Sequence, residues 1–395
     1  MSTATPAQAN RLDALDAFRG AVMLLMASSG LGLSQIARSH PENPLWSWIG
    51  RQVDHVPWAG CVLWDLIQPA FMFMVGVALP WSIANRLARG QSRTSMGFHA
   101  LKRSVVLVLL AVFLTSAWSK RTEWIFPNVL AQIGLGYPLL FGLALLPPRG
   151  QLASIASLLA LYWLAFALHP LPPLGFDFSK VGIESTWPHL QGFAAHWDKN
   201  TNFAAWFDQW FLNLFPRETP FVFNTGGYQT LNFLPSVATM AAGLLTGQLL
   251  RSEAPLNSKL IQLTRWALAS IALGLTLDLT GVCPIVKRIW TPSWVLYSGG
   301  WVTVLLVGFV AVIEGKLWKR WAYPLIVAGL NPITLYCLWQ LLGGFVRENL
   351  KRHLGPGLFE VFGAAWAPAM ERGSVLLVYW LILNAMFRNR IFIRI

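Results

Sequence analysis

Charged side chains are scarce in this 395-residue chain, in which Asp, Glu, Lys and Arg together make up 12% of the residues. Soluble domains carry about 25% charged residues, so this chain lacks the polar groups that would cover a surface in water. Hydrophobic residues make up 55%, and the mean hydropathy is +0.50. The composition excludes an ordinary soluble protein and predicts a protein whose main solvent is lipid.

Negative charge is the scarcer kind, with 17 Asp and Glu residues against 30 Lys and Arg, which gives a net charge of +13. Such an excess on a soluble protein indicates nucleic acid, but no nucleic-acid-binding motif is present. The basic residues lie mostly in short segments between apolar runs, and short basic loops stay in the cytoplasm when a membrane protein inserts. We therefore expect membrane lipids and no nucleic acid as partners, with both termini cytoplasmic.

Cysteine is rare as well. Cys61, Cys283 and Cys337 are far apart and form neither a CxxC pair nor a cluster with histidine. This pattern argues against a disulfide framework and against a zinc site, so we expect no metal. The sequence also lacks the matched pair of interrupted helices that marks the two halves of many transporters.

Long apolar runs, in contrast, are abundant. A membrane-spanning helix needs about 20 mainly apolar residues, and the sequence offers ten such segments, while residues 356–370 leave an eleventh open. We predict an all-α, polytopic membrane helix bundle in which residues 1–395 form one integral membrane domain. The predicted spans are 17–36, 58–84, 103–119, 127–147, 151–169, 228–250, 264–282, 293–314, 322–343 and 374–388.

One long segment, at about residues 170–227, has no apolar run of that length and is rich in Pro, Trp and Phe. The predicted topology places it on the outer face, where we expect a folded lid or a pair of amphipathic helices. Aromatic side chains such as Trp206 and Trp210 suit anchoring at the membrane interface, and they equally suit stacking on a sugar ring. The sequence leaves both interpretations open.

The second predicted span carries the most informative polar groups. Pro57 is suited to the first turn of a helix, which would place His55 at the helix entrance and Asp65 two turns inward. Asp65, Gln68 and Met72 would then share one face. An acid within a span is costly and indicates function, and histidine is a ready base at neutral pH. A single histidine at a helix entrance also serves as a cap, so the residues alone do not decide.

Basic residues mark the opposite, cytoplasmic side. Asp16 and Arg19 are three residues apart on a predicted helix and can form an ion pair. Alternatively, the planar guanidinium of Arg19 binds a phosphate, in a patch that Lys102 and Arg103 extend at the start of the third span. Anchoring by the positive-inside rule explains these residues equally well.

Further polar residues lie at membrane depth. They are Gln132, Asn232, Asp278 and Asn331, the last of which precedes Pro332 and is expected to break the ninth span. Each can hydrogen-bond between helices, and together they indicate a polar cavity inside the bundle.

Four segments carry a resemblance to a known family. They read L-D-A-F-R-G, H-x-x-W-x-G-x-x-x-x-D-L-I-x-P-x-F-x-F-x-V-G, N-V-L-A-Q-I-G and G-L-N-P-I-T-L-Y. This order resembles the transmembrane acyltransferases typified by heparan-α-glucosaminide N-acetyltransferase, a family with bacterial members. The resemblance implies a transferase that takes acetyl from acetyl-CoA in the cytoplasm and passes it to the amine of a terminal glucosamine on the outer side.

The resemblance also assigns residues. The family's essential histidine falls on His55, its acid on Asp65 and its basic residue at the third span on Arg103. One departure concerns an asparagine that the animal enzymes carry late in the first span, because Gly30 stands at that position here, with Ser29 beside it as a candidate substitute.

From these correspondences we expect an N-acetyltransferase in the bacterial inner membrane that uses acetyl-CoA as a co-substrate and a saccharide as the acceptor. The family's dimeric habit implies a homodimer. His55 would act as the base or as a covalent acyl carrier, with Asp65 orienting its ring. The residues expected to bind acetyl-CoA are Arg19, Lys102, Arg103, Gln132 and Asn331, and those expected to bind the acceptor are Ser29, Trp58 and Gln68.

Two alternatives share these features. An O-acyltransferase acting on a glycan or a lipid-linked sugar would use the same donor and a hydroxyl acceptor. A transporter for sugars or other small solutes would also have about ten spans and a polar interior.

Overall fold

The computed structural model describes residues 12–315 and 319–393, so the two ends of the predicted domain lie outside the described part. The described residues form fourteen α-helices, with one isolated pair of bridged residues as the only β-type pairing in that part of the chain. The helices are α1 (Asp13–Ala27), α2 (Leu33–Arg38), α3 (Pro44–Gln52), α4 (Ile67–Ala88), α5 (Arg93–Ser116), α6 (Val129–Ala144), α7 (Pro148–Ala167), α8 (Phe203–Phe211), α9 (Phe233–Arg251), α10 (Leu256–Leu279), α11 (Pro292–Glu314), α12 (Tyr323–Leu330), α13 (Pro332–Leu354) and α14 (Ala367–Arg388).

Seven of the described helices are long and apolar enough to cross a membrane, and two bent helix pairs raise that number to nine. The remaining helix, α6, is the 16-residue apolar helix at the fourth predicted span, 127–147, and it is shorter. Each predicted span therefore contains a helix, and the prediction of a polytopic helical bundle is confirmed. Together with the low charge, this makes the chain an integral membrane protein.

Residues 356–370 do not supply an eleventh span. They form two short 3₁₀ turns, Pro356–Glu360 and Ala364–Trp366, before α14 begins. Turns of five and three residues are too short to cross a bilayer.

The centre of the bundle is the contact between α4 and α9, which small residues make possible. A Cβ on Gly76 would lie 1.7 Å from the carbonyl oxygen of Met240, and one on Gly243 would lie 2.0 Å from that of Phe73. Glycine is needed where two helix backbones approach this closely. This contact fixes the position of α4, whose first residues follow the candidate catalytic acid.

Two predicted spans are broken. The ninth bends by 72° where α12 meets α13 at Asn331-Pro332, as the sequence predicts. The first bends by 47° after α1, where residues Ser29, Gly30, Leu31 and Gly32 all have φ between 47° and 66°. The prediction of one continuous span over 17–36 was therefore wrong, because this left-handed turn interrupts it. Glycine favours such a turn.

The 170–227 segment is folded and contains one α-helix, α8, rather than a pair of helices. Two further 3₁₀ turns, Phe178–Val181 and Gly192–Trp197, belong to it. Its apolar core includes Trp197 and Phe166, and it also takes in Trp58 from the loop before α4. The indole Nε1 of Trp58 donates to the carbonyl oxygen of Trp197 at 3.0 Å. The segment is thus attached to the loop that carries His55.

Candidate active site

Two loops that are distant in the sequence meet at one end of the bundle. One precedes α4 and the other joins α10 to α11. Ala59 and Val286 form an antiparallel bridge, and the N–H of Gly60 donates to the carbonyl oxygen of Ile285 at 2.8 Å. This backbone pairing brings residues around 287 next to the loop that begins at His55.

The paired loops hold a cluster of three ionisable side chains. His55 Nδ1 lies 2.6 Å from Asp65 Oδ1, and Lys287 Nζ lies 3.2 Å from each of these two atoms. The side chains of Asp65 and Lys287 are 1% and 5% exposed, whereas that of His55 is 36% exposed. A buried acid and a buried cation therefore support an imidazole that remains accessible.

The helix expected to begin at Pro57 is absent, and this part of the prediction was wrong. Helix α4 begins only at Ile67, and Asp65 lies in a 3₁₀ turn just before it. The intervening residues form a loop that folds back, and Asp65 Oδ2 accepts from the N–H of Val62 at 3.3 Å. The carboxylate thus contacts the His55 ring directly, instead of lying about 10 Å away along a helix.

The geometry of the cluster assigns the proton on the imidazole. Nδ1 can either donate a proton or accept one, but not both. Its short contact with the Asp65 carboxylate makes it the donor, so that Lys287 donates to Asp65 and not to the ring. The lone pair of the neutral imidazole is then on Nε2, which is the arrangement a general base or a nucleophile requires.

Lys287 is the member of the cluster that the sequence did not predict. Burial lowers the pKa of Lys287, and the attraction of Asp65 opposes this effect. Buried lysines are rare unless they are paired. The sequence signal was a lysine directly after the apolar Ile285-Val286 pair, but its partners are more than 200 residues away.

The loop that presents Lys287 is held by polar side chains at membrane depth. Thr291 Oγ1 donates to the carbonyl oxygen of Pro284 at 2.8 Å. Asn232 Nδ2 donates to that of Arg288 at 2.8 Å, and Asp278 Oδ1 accepts from the N–H of Ile285 at 2.8 Å. Asn232 and Asp278 were expected to line a cavity, and instead they fix the backbone of this loop.

The thiol of Cys61 is a second possible nucleophile close to Asp65 and Lys287. Burial raises the pKa of the Cys61 thiol to about 12, and the Asp65 carboxylate adds to that rise. Only the thiolate is a strong nucleophile, so Cys61 stays inert at neutral pH. The accessible imidazole is therefore the candidate reactive group of this cluster.

The residues expected to bind the acceptor have structural partners. Trp58 is buried against the 170–227 segment, and Ser29 Oγ accepts from Trp339 Nε1 at 3.3 Å. Gln68 Nε2 donates to Gln132 Oε1 at 3.2 Å. Gln68 lies in the first turn of α4, three residues after Asp65.

A large cavity of about 1120 Å³ lies further along α4, between α1, α4, α5 and α6. Four arginines and a histidine line it, together with one acid, Asp16, and with uncharged polar and apolar side chains. The five basic residues are Arg19, Arg86, Arg89, His99 and Arg103. The structure therefore brings together Arg19 and Arg103, as the sequence predicts, and adds three basic residues to them.

Both of these arginines are oriented by neighbouring groups. Arg103 Nη1 donates to the hydroxyl of Tyr137 at 3.0 Å, and its guanidinium lies 4.4 Å from the centre of that ring. Arg19 Nη1 is 3.3 Å from Asp16 Oδ1, so the ion pair expected from the sequence is present. Arg19 also donates to the carbonyl oxygen of Gly329 at 3.4 Å.

Three residues expected to bind acetyl-CoA lie outside the lining of this cavity. Lys102 is exposed on the surface of α5. Asn331 is buried and holds the segment that follows α14. Its side chain donates to the carbonyl oxygen of Ile391 at 3.0 Å and accepts from the N–H of Ile393 at 2.9 Å. Gln132 is buried in its hydrogen bond with Gln68.

The cavity does not reach His55 within the described residues. Its lining on α4 ends at Phe71, about one helical turn from Gln68. The Gln68–Gln132 pair therefore lies between the arginine-lined cavity and the His55 cluster. Within residues 12–315 and 319–393, no group of three or more His, Cys, Asp or Glu side chains is placed to hold a metal ion, and the metal-free site stays a prediction.

The sequence of this chain is similar to those of known N-acetyltransferases. The chain is 25% identical over 373 residues to human heparan-alpha-glucosaminide N-acetyltransferase, an alignment that covers 82% of this chain and 52% of the human protein. It is 25% identical over 386 residues to the mouse protein of the same name, with 85% and 54% covered. The family resemblance is confirmed.

The likeness to these two N-acetyltransferases extends over most of the chain and is not confined to the short motifs. The chain nevertheless spans only about half the length of each of these two relatives. No protein-family model matches it.

Proposed function

We propose that this protein is an integral membrane acetyltransferase that moves an acetyl group from cytoplasmic acetyl-CoA to the amine of an amino sugar on the outer side of the bacterial inner membrane. The observation that carries the proposal is the accessible imidazole of His55, whose Nδ1 is hydrogen-bonded to the buried Asp65. The names of the human and mouse relatives supply the group transferred and the class of acceptor.

The arginine-lined cavity fits the donor. Its volume of about 1120 Å³ slightly exceeds the roughly 300–1,000 Å³ of small-molecule sites, which suits a ligand as long as acetyl-CoA. Guanidinium groups bind phosphates through paired hydrogen bonds. Arg19, Arg86, Arg89 and Arg103 would hold the phosphates of acetyl-CoA. Lys102, exposed one residue before Arg103, adds positive charge outside the cavity.

The acyl-carrying arm would then pass the Gln68–Gln132 pair to reach His55. A hydrogen bond between two neutral amides contributes only about 1 kcal/mol, so an entering arm that offers amide groups of its own can replace it. Asn331 would act indirectly. It accepts a hydrogen bond from the N–H of Ile393 and so holds in place a residue that lines the cavity.

At the cluster, the thioester of acetyl-CoA supplies an activated acetyl group. In direct transfer, the acceptor nitrogen forms a bond to the acetyl carbon as the carbon–sulfur bond breaks, and His55 Nε2 takes the proton from nitrogen and returns it to the thiolate. In the covalent route, Nε2 first bonds the acetyl carbon as the carbon–sulfur bond breaks and coenzyme A leaves as its thiolate. The acceptor amine then bonds the acetyl carbon, the bond from that carbon to Nε2 breaks, and the proton of the amine passes to Nε2. Asp65 stabilises the positive imidazole in either route, and Lys287 balances the charge of Asp65.

The test is acetyl transfer from labelled acetyl-CoA to glucosamine by the purified protein and by its His55→Ala variant. General base catalysis contributes about 10²–10⁴-fold, so the variant should lose at least a hundredfold in kcat. Thermal stabilisation by CoA should be unchanged in the variant, which shows that it folds and binds the donor. Full activity in a folded His55→Ala variant would remove this histidine from the mechanism.

The same assay separates the alternatives. Mass spectrometry of the product distinguishes an amide, expected here, from the ester that an O-acyltransferase would form. Uptake of unmodified sugar into vesicles containing the protein would instead support a transporter, and a protein that CoA does not stabilise would lose its proposed donor.

A further inference from the structure

A second, smaller cavity of about 190 Å³ lies in the 170–227 segment, apart from the arginine-lined cavity. It is formed where the chain leaves α7 and where α8 begins. Its lining combines aromatic rings with uncharged polar side chains. The residues that matter here are His169, Phe176, Asn200, Thr201, Trp206 and Gln209.

Two of these polar side chains have unused hydrogen-bonding atoms. Asn200 is 3% exposed, and its Oδ1 has no partner, as is also true of Thr201 Oγ1. Asn200 Nδ2 donates to the carbonyl oxygens of Val181 and Asn224 at 2.9 and 3.0 Å, which fixes the orientation of the amide. A buried polar atom without a partner costs about 1–3 kcal/mol, so such atoms call for a ligand or a bound water.

The cavity carries no permanent charge. None of its lining residues is Asp, Glu, Lys or Arg. Burial lowers the pKa of His169, and the nearby His196 adds to this effect, so the ring is neutral at neutral pH. A phosphate or carboxylate group would find no cation here, which argues against the head group of an anionic lipid.

We propose that this cavity is a binding subsite for a neutral sugar residue of the acceptor, next to the amino sugar that reacts. Hydroxyl groups of a sugar would donate to Asn200 Oδ1 and Thr201 Oγ1, and its apolar C–H face would pack on the ring of Trp206. A volume below that of drug-sized sites suits a single sugar ring. The inference rests on the proposed function, because it gives the acceptor at least two sugar residues.

A chain of hydrogen bonds joins this subsite to the catalytic loops. Asn200 contacts the carbonyl oxygen of Asn224, and two residues further the carbonyl oxygen of Gly226 accepts from Arg288 Nη1 at 2.6 Å. Arg288 follows Lys287, and its Nη2 donates to the carbonyl oxygen of Val56 at 3.2 Å. A sugar held by Asn200 would therefore order the segment that contacts Arg288, and through Arg288 the backbone of Val56 next to His55.

The experiment compares two acceptors, glucosamine and a disaccharide in which glucosamine is linked to N-acetylglucosamine, using the full-length protein in lipid nanodiscs. Trp206→Ala and Thr201→Val should raise the KM and the dissociation constant of the disaccharide about tenfold, equivalent to about 1.4 kcal/mol, and leave acetylation of glucosamine unchanged. Trp210→Ala is the matched control, because Trp210 is exposed on the same helix α8 outside the cavity.

Thr201→Val keeps the test valid if the tryptophan variant folds poorly, since it removes a hydroxyl that has no partner. Equal affinity of the wild type for both acceptors, unchanged in all three variants, would overturn the subsite while glucosamine acetylation upholds the proposed function. Binding of the disaccharide that depends on Trp206, without acetylation of either acceptor, would uphold the subsite and overturn the proposed function. Competition by glycerophosphate instead of sugar would assign the cavity to lipid and overturn the inference.

Discussion

At the scale of single residues, Lys287 has the most specific consequence for chemistry. It is buried and contacts both other members of the cluster. Replacing it by Met removes a positive charge beside an imidazole that becomes positive during catalysis. Asp65 would then hold the protonated ring more strongly.

We therefore expect Lys287→Met to move the acidic limb of the pH–activity profile to higher pH and to lower kcat at neutral pH by about tenfold, with the KM for acetyl-CoA unchanged. Steady-state kinetics from pH 5.5 to 8.5 measure this. Lys180→Met, at an exposed lysine of the 170–227 segment, is the control. A loss of activity with an unshifted profile would mean that Lys287 acts only on folding.

The candidate site could be predicted from the sequence only in part. His55 and Asp65 were found because ionisable groups near a membrane span are rare. Lys287 was not, because its proximity depends on the pairing of two loops through Ala59 and Val286, and no local pattern encodes that pairing.

The departure at Gly30 has a backbone explanation. Gly30 has φ +66°, in the left-handed region, where asparagine is the commonest residue type after glycine. Glycine is therefore suited to this turn, and asparagine, the residue that the family resemblance leads us to expect, would suit it as well. Glycine supplies no amide side chain, and the hydroxyl of the neighbouring Ser29 accepts from Trp339 Nε1. The role of Ser29 in binding the acceptor stays a prediction.

At the scale of the element, α8 carries a buried acid whose ionisation opposes folding. Asp208 Oδ2 accepts from the N–H of Thr230 at 2.9 Å, while Oδ1 has no partner. Burial raises the pKa of Asp208 to about 7, and the attraction of Arg217 opposes that rise. The unfolded value is near 3.9, so the folded state binds more protons between about pH 4 and pH 7.

Stability should therefore fall as pH rises through this range, because the folded protein must release a proton that it holds more tightly than the unfolded chain. The full loss, reached above about pH 7, is of the order of 4 kcal/mol. Asp208→Asn should remove this dependence and raise the Tm above pH 7. Thermal unfolding in detergent from pH 5 to 8 measures it, with Glu184→Gln as the control, and an unchanged slope would contradict the assignment.

The positions of the spanning helices could be predicted from the sequence, but a break within a span could be predicted only where a proline is present. Pro332 indicates the bend between α12 and α13. The bend after α1 depends on several consecutive residues adopting positive φ, including Ser29 and Leu31, which rarely adopt it. Composition alone does not distinguish such a turn from continuous helix.

At the scale of the whole molecule, the proposal requires the arginine-lined cavity to open to the cytoplasm and His55 to face outward. Arg93 begins α5, two residues after Gln91, which lines that cavity, and it is exposed. Leu174 is fully exposed in the 170–227 segment. The positive-inside rule predicts that the Arg93 end faces the cytoplasm.

In intact cells, an impermeant maleimide should label a Leu174→Cys variant and not an Arg93→Cys variant, which should react only after the membrane is opened. The wild-type protein, with its three native cysteines, gives the background labelling. The opposite pattern would place the arginines outside, away from cellular acetyl-CoA, and would exclude the proposed direction of transfer.

The amide pair of Gln68 and Gln132 has a consequence for the cell as well as for the enzyme. A protein that connects a water-filled inner cavity with an outward-facing imidazole risks conducting protons and dissipating the gradient that drives ATP synthesis. Two neutral amides bonded to each other carry no titratable proton. In the proposed reaction, this amide pair would close the path between turnovers and the arm of the donor would fill it during them, so that no continuous path for protons would cross the bilayer.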